Sequence, residues 1–181
     1  MVKIMNNQLT IILVAATLLT GGLVARAQSS SMPKAGDVAP LVQGSDQRGH
    51  LWKLSDFIGK KIVLLYFYPK DNTSGCTKEA CGFRDRMADL KKDNVEVVGV
   101  SVDTASSHQQ FAEKNQLNFT LVADPDKKIV DTYDVRFGPL GFAKRVSFLI
   151  GLDGKIVHVT DAMSPDKHFT EMQAAIASLK K

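Results

Sequence analysis

The sequence predicts an α/β sandwich in which a central mixed sheet is flanked by helices. Three observations predict it. Residues 61–68 (KIVLLYFY) and 95–102 (VEVVGVSV) are short, continuous apolar runs of β-formers, as expected of strands buried on both faces beneath helices. Between them Ala80, Phe83, Met87 and Leu90 recur at helical spacing, so a helix joins the two strands. Gly151-Leu152-Asp153-Gly154 separates two further β-forming runs, 146–150 and 155–159. Its Asp-Gly pair is hairpin chemistry, which adds antiparallel pairing to the sheet.

The elements follow in order. Residues 1–27 stand apart from the fold: Lys3 gives a positive start, residues 9–25 are apolar with small residues, and Ala25-Arg26-Ala27 supplies a small-x-small cleavage pattern. This is a secretory signal cut after Ala27, and the expected location is the periplasm; the alternative is an uncleaved segment that anchors the chain. Residues 28–36 (QSSSMPKAG) form a flexible polar leader, and 37–181 form one domain. Asp46-Gln47-Arg48-Gly49 is a turn between extended pieces at 41–42 and 50–52. Residues 54–58 suit a short helical turn with Ser55 as cap and Gly59 as stop. After the strand at 61–68, stopped by Pro69, a helix covers 76–92. The strand at 95–102 precedes helix-forming residues 106–115, a short strand at 120–122 and a weakly helical stretch at 127–133. The hairpin leads to a closing helix, 165–179, with Phe169, Met172, Ile176 and Leu179 on one face. Strand-helix-strand-helix, then a hairpin, then a helix, is the order of the thioredoxin-like architecture.

The net charge of +4 falls to +2 without Lys3 and Arg26, the charged residues of 1–27. So small a charge does not suit a nucleic-acid or anionic-membrane partner and points to a small molecule or a protein. After signal cleavage no stable membrane association is expected.

The chain has two cysteines, Cys76 and Cys81. In an exported protein the plain expectation is one structural bridge. Ideal helix geometry places two such residues about 7.5 Å apart along the axis and roughly 140° around it, hence roughly 8.7 Å between Cα atoms. A disulfide needs about 7 Å or less, so a bridge requires the first turn to unwind, which suits a bond made and broken better than a brace. A structural zinc takes four ligands in closely spaced pairs, whereas the histidines stand alone at 50, 108, 158 and 168; no metal or other cofactor is expected. The third reading is a reactive thiol. Cys76 follows the turn Asp71-Asn72-Thr73-Ser74-Gly75 near a helix start, where free N–H groups and the helix dipole favour a thiolate. Thr73, three residues earlier, is either a turn residue or a hydroxyl that shares a bound substrate.

Pro69-x-x-x-Thr73-x-x-Cys76, followed by Thr77 and Glu79, resembles the active-site motif of the peroxiredoxins. The stretch YFYPKDNTSGCTKEACGFRD is similar to the bacterioferritin-comigratory-protein or Q-type subfamily, and the likeness extends through LSDFIGKKIVLLYFYPKD, VVGVSVD, FTLVADPD and RVSFLIGLDGKIV. The resemblance implies a thiol peroxidase. Cys76 is then the peroxidatic cysteine, which attacks hydrogen peroxide or an organic hydroperoxide and becomes a sulfenic acid. Cys81 is the resolving cysteine, giving a Cys76–Cys81 disulfide that a thioredoxin-like protein reduces. Arg145 matches the family's active-site arginine and Thr73 holds the peroxide, with N–H groups near Gly75 and Cys76. Pro69 shields the thiolate. Glu79 orients Arg145, or is a solvated acid near the helix start.

The chain also departs from the pattern. Ser74 stands where the Q-type motif commonly has a second proline, and residues 138–144 are a short apolar stretch. A monomer is expected. Two other readings remain: a thiol–disulfide oxidoreductase, although those carry two cysteines separated by two residues, and a copper-binding module on the same fold. The copper module needs a histidine near the cysteines; His158, on a late strand, is the candidate, and its plainer reading is a strand-surface residue.

Overall fold

The computed structural model describes residues 31–180. The expected signal over 1–27 and residues 28–30 of the leader lie outside the described residues; within the rest of the leader, Met32 packs against the core and the Gly36 N–H donates to Ile156 O at 2.8 Å. The chain forms β1 (Gln43–Asp46), β2 (Leu51–Lys53), β3 (Ile62–Phe67), α1 (Ser74–Lys92), β4 (Val95–Ser101), α2 (Ala105–Asn115), β5 (Thr120–Ala123) and α3 (Lys128–Thr132). It continues with β6 (Arg136–Phe137), β7 (Phe142–Ala143), β8 (Val146–Ile150), β9 (Ile156–Asp161) and α4 (Pro165–Ser178). Seven strands make one sheet in the order β2-β1-β5-β4-β3-β8-β9. Its centre, β3, β4 and β5, is parallel; β1, β8 and β9 pair antiparallel with their neighbours. This is the mixed sheet that the buried runs and the Asp-Gly hairpin predict.

Strand alternation divides the core in two. Val63, Leu65 and Phe67 point into one layer with Phe148, Ile129, Val130 and Tyr133. Leu64, Tyr66 and Tyr68 point into the other, against Phe83 and Met87 of α1, Phe111 of α2 and Phe169, Met172 and Ile176 of α4. Each such side chain contributes about 1.5–3 kcal/mol by leaving water, which is why a run with no polar face folds as a central strand. Where α1 crosses α4, a Cβ on Gly82 would stand 2.1 Å from Phe169 Cζ, so the glycine sets how closely the helices approach.

Several local details differ from expectation. The first strand starts at Gln43 rather than at 41, because Asp46 Oδ1 closes the turn by accepting from the N–H groups of Arg48 and His50, both at 2.8 Å. Residues 54–56 form a 3-10 turn with Lys53 at its cap position and no side-chain cap, so Ser55 does not cap it; burial of Leu54 holds the turn in place. The weak helix at α3 is capped from a distance, with the Asp124 carboxylate accepting from Ile129 N–H and Val130 N–H at 2.9 and 2.8 Å. Residues 138–144 complete a small β6–β7 hairpin that apolar composition alone does not announce. Leu179 is 42% exposed, outside the apolar face of α4.

This topology positions the site. β3 ends at Phe67, and its antiparallel register with β8 sets Phe67 opposite Val146. Arg145, one residue earlier, therefore stands level with the end of β3, where the chain turns into α1. The C-terminal edge of a parallel strand is also where open α/β sheets commonly bind ligands.

Candidate active site

The turn before α1 is tied down by buried polar groups. Asp71 is 5% exposed. Its carboxylate accepts from Tyr68 Oη at 2.7 Å and Ser107 Oγ at 2.7 Å, and lies 2.9 Å from His108 Nδ1. Its own N–H donates to Asp103 Oδ2 at 2.9 Å, and Ser101 Oγ donates to the same oxygen at 2.6 Å. Burial alone would push Asp71 up, but the bonds from His108, Ser107 and Tyr68 outweigh it and hold the carboxyl below its ordinary value. A satisfied buried carboxylate of this kind fixes the strand-to-helix turn from both sides. Asn72 can then take φ 59, a conformation asparagine tolerates.

Thr73 is the N-cap residue of α1 and Ser74 its first helical residue. Proline is favoured at that first position because its missing N–H would have no helical partner; serine occupies it without disturbing the helix. The first helical bond runs from Thr77 N–H to Thr73 O at 2.8 Å, so the preceding amides of Ser74, Gly75 and Cys76 lie in the unpaired first turn. The Thr73 side chain does not cap them. Its hydroxyl donates to Lys70 O at 3.0 Å, and the residue is exposed.

Cys76 is 1% exposed, third in α1, and its Sγ lies 3.3 Å from Arg145 Nη2. Arg145 Nη1 donates to Glu79 Oε2. Gly75 makes room for this approach: a Cβ there would stand 3.1 Å from Arg145 Nη2. Burial opposes the charge on Arg145, but Glu79 and Cys76 more than offset it and hold the guanidinium's pKa above its ordinary value. Glu79 is fully buried and lies beyond the first helical turn, so it is no solvated acid; burial raises it to about 7 against the opposing pull of Arg145. Behind it lies His168, also fully buried, with Nδ1 3.8 Å from Glu79 Oε1.

Glu79 gives the protein a signed pH dependence. Its unfolded value, near 4.5, lies below its folded value of about 7, so the native state holds this proton over a window where the unfolded chain has lost it. Stability from this group is present below pH 4.5 and is lost as pH rises towards 7. We expect the urea midpoint to fall between pH 5 and 8 by more in the wild type than in Glu79→Gln. Equal falls would contradict the assignment.

Of the residues singled out from the sequence, the fold brings Cys76, Glu79, Gly75 and Arg145 together, with 69 positions separating the thiol from the arginine. Pro69 is half-buried, two residues after the end of β3. Cys81 is half-buried in the same unbroken helix, and both cysteines are free thiols. His158 bonds Glu171 of α4 at 3.2 Å. Among the described residues no group of three or more His, Cys, Asp or Glu is arranged to hold a metal ion, and no helix is long and apolar enough to cross a membrane. Sequence reasoning missed Asp71 as a buried anchor, its partner His108, and the pair Ser147 and His168. Isolated histidines carry no local signal of a partner tens of residues away.

Comparison with known proteins agrees with this geometry. The AhpC/TSA family profile matches residues 35–159. The chain is 46% identical over 142 residues to the peroxiredoxin Bcp of Escherichia coli K12, covering 75% of this chain and 90% of that protein. It is 40% identical over 148 residues to the chloroplastic peroxiredoxin Q of Triticum aestivum, covering 80% and 67%. Among solved structures, the peroxidoxin BcpB of Mycobacterium tuberculosis superposes with a TM-score of 0.78 at 31% identity, covering 82% of this chain and 99% of that one. The Xanthomonas campestris bacterioferritin comigratory protein, studied for alkyl peroxide reduction, superposes with a TM-score of 0.71 at 28% identity, covering 77% and 92%.

Proposed function

This chain belongs to the AhpC/TSA family and is a peroxiredoxin, and on that premise we propose that it reduces hydrogen peroxide and organic hydroperoxides through a Cys76–Cys81 disulfide cycle. The observation that carries the reading is the buried Cys76 Sγ set against Arg145 Nη2 at 3.3 Å, with Glu79 holding the far side of the guanidinium.

In the first step the Cys76 thiolate attacks the outer oxygen of the hydroperoxide. The S–O bond forms, the O–O bond breaks, and the alkoxide or hydroxide leaves and takes up a proton. Sulfur is oxidised to a sulfenic acid and the peroxide is reduced to alcohol or water. Arg145 supplies a fixed cationic donor where negative charge develops, at no cost of reorganisation. The Thr73 hydroxyl already donates to Lys70 O, so its oxygen is free to accept from the peroxide O–H. The first-turn amides of α1 donate to the peroxide oxygens, and Pro69 shields the thiolate from solvent.

Cys81 then attacks the Cys76 sulfur, expelling water and forming the disulfide. An intact α1 would hold the two Cα atoms roughly 8.7 Å apart, so its first turn unwinds for this step. The anchors define how far. Asp71 stays fixed in its network before the helix, while Arg84 Nη1 bonds Asn115 O at 2.6 Å and Phe83 and Met87 stay in the core. The unwinding is therefore confined to the stretch between Asn72 and Gly82. A thioredoxin-like dithiol completes the cycle by exchange. The alkyl peroxide activity of the Xanthomonas campestris relative supports organic hydroperoxides as substrates. The signal-like residues 1–27 support an exported, periplasmic protein, and we assign it as a monomer.

The test sets two activities of the reduced protein side by side. Dithiothreitol-driven consumption of hydrogen peroxide and cumene hydroperoxide should far exceed reduction of insulin disulfides. Faster insulin reduction, with little peroxide consumed, would make it a thiol–disulfide oxidoreductase instead.

A further inference from the structure

Three fully buried polar side chains from three elements meet behind the arginine: Glu79 on α1, Ser147 on β8 and His168 on α4. The hydrogen bonds fix their roles. His168 Nε2 lies 2.8 Å from Ala162 O, a carbonyl that can only accept, so Nε2 carries the ring proton. Burial, joined by the charge of Arg145, pulls His168 below its ordinary value against the opposing pull of the Ala162 carbonyl, Glu171 and Asp161; the ring is neutral and Nδ1 is a bare acceptor. Ser147 Oγ, 2.7 Å away, is its donor. Glu79 Oε1, 3.8 Å from the same nitrogen, has no hydrogen-bond partner among the described residues.

Two groups thus compete for one lone pair. We propose that Ser147 and His168 are positioning residues for Arg145: the serine proton occupies His168 Nδ1 and so denies it to a protonated Glu79, which keeps Glu79 a carboxylate clamped on the arginine. Without the serine hydroxyl, a small closure of the 3.8 Å gap would let a neutral Glu79 donate to the imidazole, and the neutral acid would win where the carboxylate now does. The proton stays on the acid rather than the ring because the ring is buried beside Arg145. Other groups facing the cluster are Cys76 on α1, Tyr66 on β3, Asp161 on β9 and Glu171 on α4. None of them offers Glu79 a hydrogen bond. The alternation of β8 explains the arrangement, since Arg145 and Ser147, two residues apart, point to the same face.

This inference rests on the peroxidase reading for its effect on rate, but not for its effect on Glu79. The experiment therefore has two arms, each applied to the wild type, Ser147→Ala and Ser147→Thr. Carbon-13 NMR of carboxyl-labelled glutamate follows the titration of Glu79, and stopped-flow mixing of the reduced protein with hydrogen peroxide between pH 5.5 and 9 follows the first oxidation. In Ser147→Ala the Glu79 midpoint should rise by about one pH unit, so that near pH 7 the carboxylate fraction and the oxidation rate drop roughly five-fold. The rate should recover by pH 9, and Ser147→Thr, which keeps the hydroxyl, should match the wild type. An unmoved Glu79 midpoint would overturn the proposal, as would a moved midpoint with an unchanged rate, or a rate lowered equally at every pH. Absence of peroxide reaction in the wild type would overturn the peroxidase reading instead, and the NMR arm would still decide the charge relationship.

Discussion

Cys76→Ser is expected to abolish peroxide consumption, and Cys81→Ser to form the sulfenic acid with one equivalent of peroxide but to lose sustained turnover. The two cysteines differ in surroundings rather than in chemistry. Cys76 is buried in the first turn of α1 with a guanidinium 3.3 Å from its sulfur, while Cys81 is half-buried further along the same helix. A serine hydroxyl at 76 lacks the polarisable sulfur that attacks the O–O bond, so nothing remains to be oxidised. A serine at 81 leaves the first step intact but removes the nucleophile that resolves the sulfenic acid. That variant should also be the more easily over-oxidised at excess peroxide. Stopped-flow peroxide consumption, with and without dithiol, separates the two cases. Sustained dithiol-driven turnover by Cys76→Ser would contradict the assignment.

Arg145→Ala is expected to slow the first oxidation by about 10²–10³-fold, the usual loss when one pre-positioned donor at a developing charge is removed. Its effect on stability should depend on pH. Breaking a buried ion pair by deleting one partner costs about 3–5 kcal/mol when the other charge is stranded. Glu79 can escape part of this cost by taking up a proton, since burial already raises it to about 7 in the presence of the arginine. The variant should therefore be nearly as stable as the wild type at pH 5 and clearly less stable at pH 8. Arg145→Lys should restore little of the rate, because an ammonium cannot reach Cys76 and Glu79 together as the planar fork does. A wild-type oxidation rate in Arg145→Ala would remove the arginine from the mechanism.

The central strands, α1, the β8–β9 hairpin and α4 were legible because each carries a periodic or turn signal within its own residues. Motif spacing and family resemblance brought Thr73, Cys76, Cys81 and Arg145 forward together, although only the β3–β8 register explains why residue 145 arrives beside residue 76. Glu79 illustrates the limit. An acid near a helix start is usually solvated, and the burial of Glu79 comes from α4, whose His168 lies 3.8 Å from it although 89 positions away in the chain. The Asp71 network and the Ser147–His168 bond were illegible for the same reason: each joins side chains from different elements, separated by tens of residues, that carry no pattern in the chain. Ser74 marks a smaller lesson. It lacks the fixed φ that a proline would bring to the helix start, yet the turn is tied by Asp71 three residues earlier, through bonds to Tyr68, His108, Ser107 and Asp103.

The central claim is that peroxide drives one bond between Cys76 and Cys81 within a single chain. Intact-mass and peptide mapping of the reduced protein after one equivalent of hydrogen peroxide, with free thiols trapped by an alkylating agent, tests it most directly. The account predicts the loss of two hydrogens from the chain, no alkylation at either cysteine, and a linked peptide containing both Cys76 and Cys81. An oxidised Cys76 beside an alkylated Cys81, or a bridge between two chains, would contradict it.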